Sequence, residues 1–103
     1  MEKYVQIIIL STTYTTDNSN ILVINEPVTL VDENHLLVNN ISYTFDYLIF
    51  TNPVQIINFN ETSIMHENKI PITNCFYQTT YENVYYPFGE NIDEALSNIF
   101  ENN

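Results

Sequence analysis

The chain has 103 residues, with two lysines, no arginine and thirteen aspartates and glutamates, for a net charge of −11. That length predicts one domain, residues 1–103, with a modest core. The charge excludes long-range attraction to DNA, RNA or anionic membranes, and 45% hydrophobic residues place the chain among globular rather than disordered sequences.

The imbalance comes from missing cations more than from abundant acid, since only 15% of residues are charged. Lys3 and Lys69 can form internal ion pairs, as can His35 and His66 when protonated. Most carboxylates are therefore expected to be solvated or to await an external cation. Sixteen asparagines and a single glycine, Gly89, assign tight turns to Asn and Asp.

Strand patterns dominate. Tyr4 to Leu10 is apolar on both faces, as in a buried central strand. The apolar run Ile7 to Leu10 is too short, and lacks the small-residue cleavage site, for a signal peptide. Ser11 to Thr16 is expected to prolong it. Asp17 to Asn20 is a turn cluster. Ile21 to Asn25 is a second strand, interrupted by Glu26-Pro27, which marks an edge, a bulge or a break because proline removes a ladder donor. Val28 to Val31 resumes the strand pattern, Asp32 to His35 turns, and Leu36 to Val38 pairs back. Asn39-Asn40 is a two-residue hairpin turn, because Asn tolerates positive φ. Ile41, Tyr43 and Phe45 alternate with Ser42 and Thr44 as a half-buried strand. Tyr47 to Thr51 continues after a bend at Asp46.

Asn52-Pro53 breaks the pattern, and Val54 to Phe59 is another strand. Asn60 to Asn68 reads as loop, and Lys69 to Ile72 as a short segment containing Pro71. Cys75 to Tyr86 holds four of the eight tyrosines. It reads as one long strand or as a hairpin bent near Glu82-Asn83. Pro87-Phe88-Gly89 is a turn. The period then changes: Asn91 is an N-cap with Glu94 completing a capping box. Ile92, Ala95, Leu96, Ile99 and Phe100 make one apolar helical face. The expected fold class is α+β, mostly β: a small antiparallel, meander-like sheet with one C-terminal amphipathic helix.

No catalytic signature accompanies the charge. Phosphate-cradling glycine loops are ruled out by the single glycine. His35 and His66 lie near carboxylates but lack metal-ligand spacing, and no cofactor is expected. Asp32-Glu33 and Asp93-Glu94 are adjacent pairs, which do not face one another as a catalytic dyad would. Cys75 is read as a small buried thiol beside Phe76, because a reactive thiolate needs a basic environment. The expectation is a protein that is not an enzyme.

Tyr77, Tyr81 and Tyr85 are separated by even steps, so on an unbroken strand they share one face. That face serves either the core or an interface. The carboxylates are dispersed over turns and the helix. They serve solubility alone, or folding gathers several as surrogate phosphates that dock in a basic cleft. The candidate partner-binding residues are Asp32, Glu33, Glu61, Glu67, Glu82, Glu90, Asp93 and Glu94, with Tyr77, Tyr81 and Tyr85. In size and acidity the chain is similar to the small acidic inhibitors of phages and mobile elements, an analogy that transfers no residue. The resulting expectation is a cytoplasmic protein that occupies the basic site of a nucleic-acid-binding protein or nuclease, such as an anti-CRISPR or anti-restriction protein. It would have no direct nucleic-acid or membrane partner. The alternative is an assembly module that self-associates, for example as a homodimer, through strand edges or a tyrosine face.

Overall fold

The computed structural model describes residues 6–52, 56–58, 66–67, 70–87 and 92–101. Among the described residues ten strands precede one helix: β1 Ile7–Leu10, β2 Ile21–Ile24, β3 Val28–Leu30, β4 His35–Val38, β5 Ile41–Thr44, β6 Tyr47–Phe50, β7 Ile56–Asn58, β8 His66–Glu67, β9 Ile70–Pro71, β10 Val84–Tyr85 and α1 Ile92–Glu101. The fold is α+β and mostly β, with a three-stranded antiparallel meander and a C-terminal helix, as the sequence indicates.

Two four-stranded sheets carry the architecture. One has the order β10-β6-β1-β2, and all of its pairs are parallel. The other has the order β5-β4-β3-β7, in which β3, β4 and β5 form the antiparallel meander and β7 joins β3 in parallel. β8 and β9 pair as a separate small hairpin. Residues Asn60 to Asn68, read as loop, thus contribute two strand residues; the remainder of that segment lies outside the described residues.

The parallel sheet is the middle layer. Ile8, Leu10, Leu48, Phe50 and Val84 face the second sheet and pack on Val28, Leu30, Leu36, Val38 and Phe45. Ile7, Ile9, Ile49 and Tyr85 face the other way, onto Ile92, Ala95, Leu96 and Ile99 of α1. Successive strand residues point to opposite faces, so a strand covered on both sides must be apolar throughout. β1 meets that demand, with all four residues 0% exposed. Each such side chain stabilises the fold by about 1.5–3 kcal/mol relative to exposure. Phe50 and Tyr86 stack within the inter-sheet core, with centroids 4.9 Å apart.

Chain breaks in the sequence become changes of layer. Asn25, Glu26 and Pro27 carry the chain from β2 in the parallel sheet to β3 in the other. Phe45 and Asp46 return it from β5 to β6. Asn39 and Asn40 adopt φ of 51° and 66°, the two positive values that the tight hairpin between β4 and β5 requires.

Ser11 to Thr16 does not prolong β1. The Ser11 N–H makes one last ladder bond to Ile24 O, at 3.0 Å. Its buried Oγ then accepts from the N–H groups of Thr13 (3.1 Å) and Tyr14 (3.0 Å), which turns the chain out of the sheet. Tyr14 folds back onto the helix-side core.

Cys75 to Tyr86 is bent rather than continuous. Asn74 Oδ1 accepts from Phe76 N–H (2.9 Å) and Gln78 N–H (3.1 Å), and Tyr77 takes φ 68°. Gln78 then pairs antiparallel with Tyr85. This turn throws Cys75 and Phe76 outward, so Cys75 is exposed and not the buried thiol the sequence suggests. In α1, Phe100 is 54% exposed although its spacing places it on the apolar face. It follows Ile99 at the rim of the stripe in the last turn. The expected N-cap, Asn91, lies outside the described residues.

Candidate functional site

Several acidic residues fall into separate groups, on loop turns and on the helix. Asp32 and Glu33 occupy the turn between β3 and β4, and both are exposed. Asp32 Oδ1 accepts from the Asn34 N–H at 2.8 Å and contacts His35 Nδ1 at 2.9 Å. The Asn34 N–H, and then His35, hold the Asp32 carboxyl below the ordinary value. Among the described residues, Asp32–His35 is the one ion pair, and it forms when the imidazole is protonated.

Asn83 joins this turn to another acidic one. Its Nδ2 donates to the carbonyl oxygens of Glu33 and of Asp46, the latter at 3.2 Å. Its own carbonyl accepts from Leu48 N–H at 2.9 Å. Glu82, next to Asn83, is exposed. Asp46 sits at the same end, where its carboxylate accepts from Gln6 N–H at 2.8 Å. Asp32, Glu33 and Glu82 are therefore gathered at the end of the parallel sheet where β6 and β10 begin.

Asp93 and Glu94 form a second group, in the first turn of α1, where the helix dipole favours negative charge. Glu94 Oε2 accepts from the Tyr77 hydroxyl at 2.6 Å, and this bond is the main cause that raises the Tyr77 pKa. With Cys75, Phe76 and Asn98 they line an open groove of about 440 Å³. Tyr77 lies beside Tyr86, whose N–H donates to Tyr77 O at 2.8 Å. This group is thus at the far end of β10 from Glu82 and Asn83. Asp32, Glu33 and Glu82 make one acidic pole and Asp93 and Glu94 a second, while Asp17, Glu26 and Glu101 belong to neither. Glu67 is exposed on β8, and Glu61 and Glu90 lie outside the described residues.

The three tyrosines do not share a face, because the turns at 74–78 and 80–83 break the strand that would align them. Tyr85 is 2% exposed and packs under α1, against Tyr47 at a centroid distance of 6.4 Å. Burial raises its pKa. Tyr81 packs on the inter-sheet core, and Tyr77 on the helix side. Tyr85 therefore offers no interface area.

Asn83 carries the geometry of the first pole, yet nothing in the sequence separates it from fifteen other asparagines. Its position in a turn after Glu82 is the only local signal. Among the described residues no group of three or more His, Cys, Asp or Glu could hold a metal ion. The buried polar side chains there are Ser11 and Thr79. Ser11 ends β1, and Thr79 Oγ1 donates to Val84 O at 2.9 Å. No helix among the described residues is long and apolar enough to cross a membrane. The chain matches no family model, no curated protein and no solved structure.

Proposed function

We propose that this protein is a non-enzymatic inhibitor of the phage or mobile-element type, which occupies the basic nucleic-acid-binding site of a partner protein as a mimic of DNA or RNA. One observation carries the reading: a net charge of −11 whose carboxylates have almost no internal cations. Asp17, Glu26, Asp32, Glu33, Glu67, Glu82, Asp93, Glu94 and Glu101 are all exposed. An unpaired carboxylate on an ordered turn keeps its charge and its position, the two properties that a phosphate offers a basic cleft. Binding then brings fast, electrostatically steered association.

The two poles make the reading specific. The turns of Asp32–Glu33 and Glu82 are linked through Asn83 and present one acidic rim. The first turn of α1 presents the other. Capture of the partner from host extract at low ionic strength, repeated at high ionic strength, tests the reading. The expected result is strong loss of binding as salt screens charges beyond about 8–10 Å. Binding that is unchanged by salt would overturn it. Triple replacement of Asp32, Glu33 and Glu82 by Lys, compared with double replacement of Asp93 and Glu94, identifies the pole that makes the contact.

A further inference from the structure

Among the described residues the outer edge of β2 is unpaired. Among the described residues β2 has one neighbour, β1. Ile7 N–H donates to Asn20 O (2.9 Å) and Ser11 N–H donates to Ile24 O (3.0 Å). Those bonds set the phase: Asn20, Leu22 and Ile24 bond toward β1, and the alternate residues direct their backbone groups away from it. Ile21 N–H is taken locally by Asn18 O at 3.1 Å. The Ile21 carbonyl, both backbone groups of Val23 and the Asn25 N–H point outward as a strand template.

The usual protections are missing within this edge. Ile21 to Ile24 contains no charge and no proline, and its register with β1 is unbroken. Beside it lies a groove of about 210 Å³ between the sheets, where Leu22 and Ile24 face Val38 and Tyr43 of the β4–β5 hairpin. Leu22 is 38% exposed there. The ends of β2 are acidic, with Asp17 in the preceding turn and Glu26 after it, both exposed.

We infer that the β2 edge is a docking site for an extended segment of a cationic partner, which adds as a further strand along Val23 and lays an apolar side chain in the groove beside Leu22. Charge selects the occupant. A second copy would bring −11 against −11, whereas a strand with Lys or Arg outside a central apolar stretch meets Glu26 and Asp17. Four residues of β2 span about 13 Å, so the cations flank a core of about that length. The partner's positive charge rests on the reading above; the open edge does not.

The probe is a synthetic peptide, Lys-Lys-Val-Thr-Val-Thr-Lys-Lys, tested against the full chain by amide hydrogen exchange. A second peptide of the same charge has alternate amides N-methylated. The expected result is slowed exchange at Val23 and Asn25 with the first peptide only. Val23→Pro removes the outward donor while an edge strand tolerates proline, and it should weaken binding about tenfold. Leu22→Lys, which keeps Val23 and sets a cation in the groove, should weaken it similarly. Equal binding of both peptides at low salt would overturn the edge inference and leave the acidic-mimic reading standing. Protection at Ser42 and Thr44 of β5 instead, or a dimer in sedimentation with Val23 protected before peptide is added, would also overturn it. Selective, salt-resistant binding of the first peptide would support the edge even if the mimic reading failed.

Discussion

Asn83 is the side chain whose removal tests the first acidic pole most directly. Its Nδ2 reaches the carbonyls of Glu33 and Asp46, and the side chain is half-buried. Two neutral hydrogen bonds at about 1 kcal/mol net each set a ceiling near 2 kcal/mol. Water can replace part of them at a half-exposed site, so Asn83→Ala should cost about 1–2 kcal/mol. In a domain of this size each kcal/mol moves Tm by about 4–8 °C, which gives a fall of roughly 4–16 °C in a thermal melt followed by near-ultraviolet dichroism. Asn83→Asp is the sharper variant. It keeps the shape but aims a carboxylate at two carbonyl oxygens, so it should be less stable than Asn83→Ala at pH 7. Those oxygens raise the introduced group's folded pKa above its unfolded value near 3.9. A group raised in this way has its full stability below the unfolded value and loses it as pH rises through the folded one. The Asp variant should therefore recover on acidification, and the Ala variant should not. Equal stability of the two at pH 7 would refute the donor role assigned to Asn83.

The other predictions concern single groups. Asp32→Ala should flatten the acid limb of the stability curve: the Asp32 carboxyl is held below its ordinary value of 3.8, so its stabilisation is present above that value and lost as pH falls through the folded one. A denaturant series from neutral to acid pH measures this, and the effect should be small because the group is exposed. Glu94→Gln should bring the Tyr77 hydroxyl back toward its ordinary value of 10.0, read by ultraviolet titration. In the wild type the Tyr77–Glu94 bond is fully present below that value and is lost as pH rises through the raised folded pKa. Asn40→Ala should destabilise by about 1–2 kcal/mol because φ is 66° there, and Asn40→Gly should not, in urea unfolding.

Several elements were legible because their signals are local. The Asn39-Asn40 turn is readable from two residues that tolerate positive φ. The helix at Ile92–Glu101 is readable from a spacing of three and four. The doubly buried β1 is readable from four consecutive aliphatic residues. Other features had no local sign. Ser11 looks like a strand residue until its Oγ is found accepting two N–H groups. Cys75 looks buried until Asn74 turns it outward. Tyr77, Tyr81 and Tyr85 have the spacing of one face, and two turns send them to different cores.

The sequence by itself determined the charge, the strand-rich class, the interruptions at Pro27 and Asp46, and the terminal helix. These follow from composition, period and backbone chemistry within a few residues. That those interruptions carry the chain between sheets came from the tertiary structure. Only the tertiary structure decided which strands share a sheet, that one sheet is wholly parallel, and that Asp32, Glu33 and Glu82 come together through Asn83. Among the described residues it also left the outer edge of β2 unpaired. Strand partners are chosen by contacts between residues far apart in the chain, such as Ile9 with Ile49 or Asn83 with Glu33. An exposed carboxylate has no apolar period to announce its place, so its position is inherited from the buried residues that fix its turn.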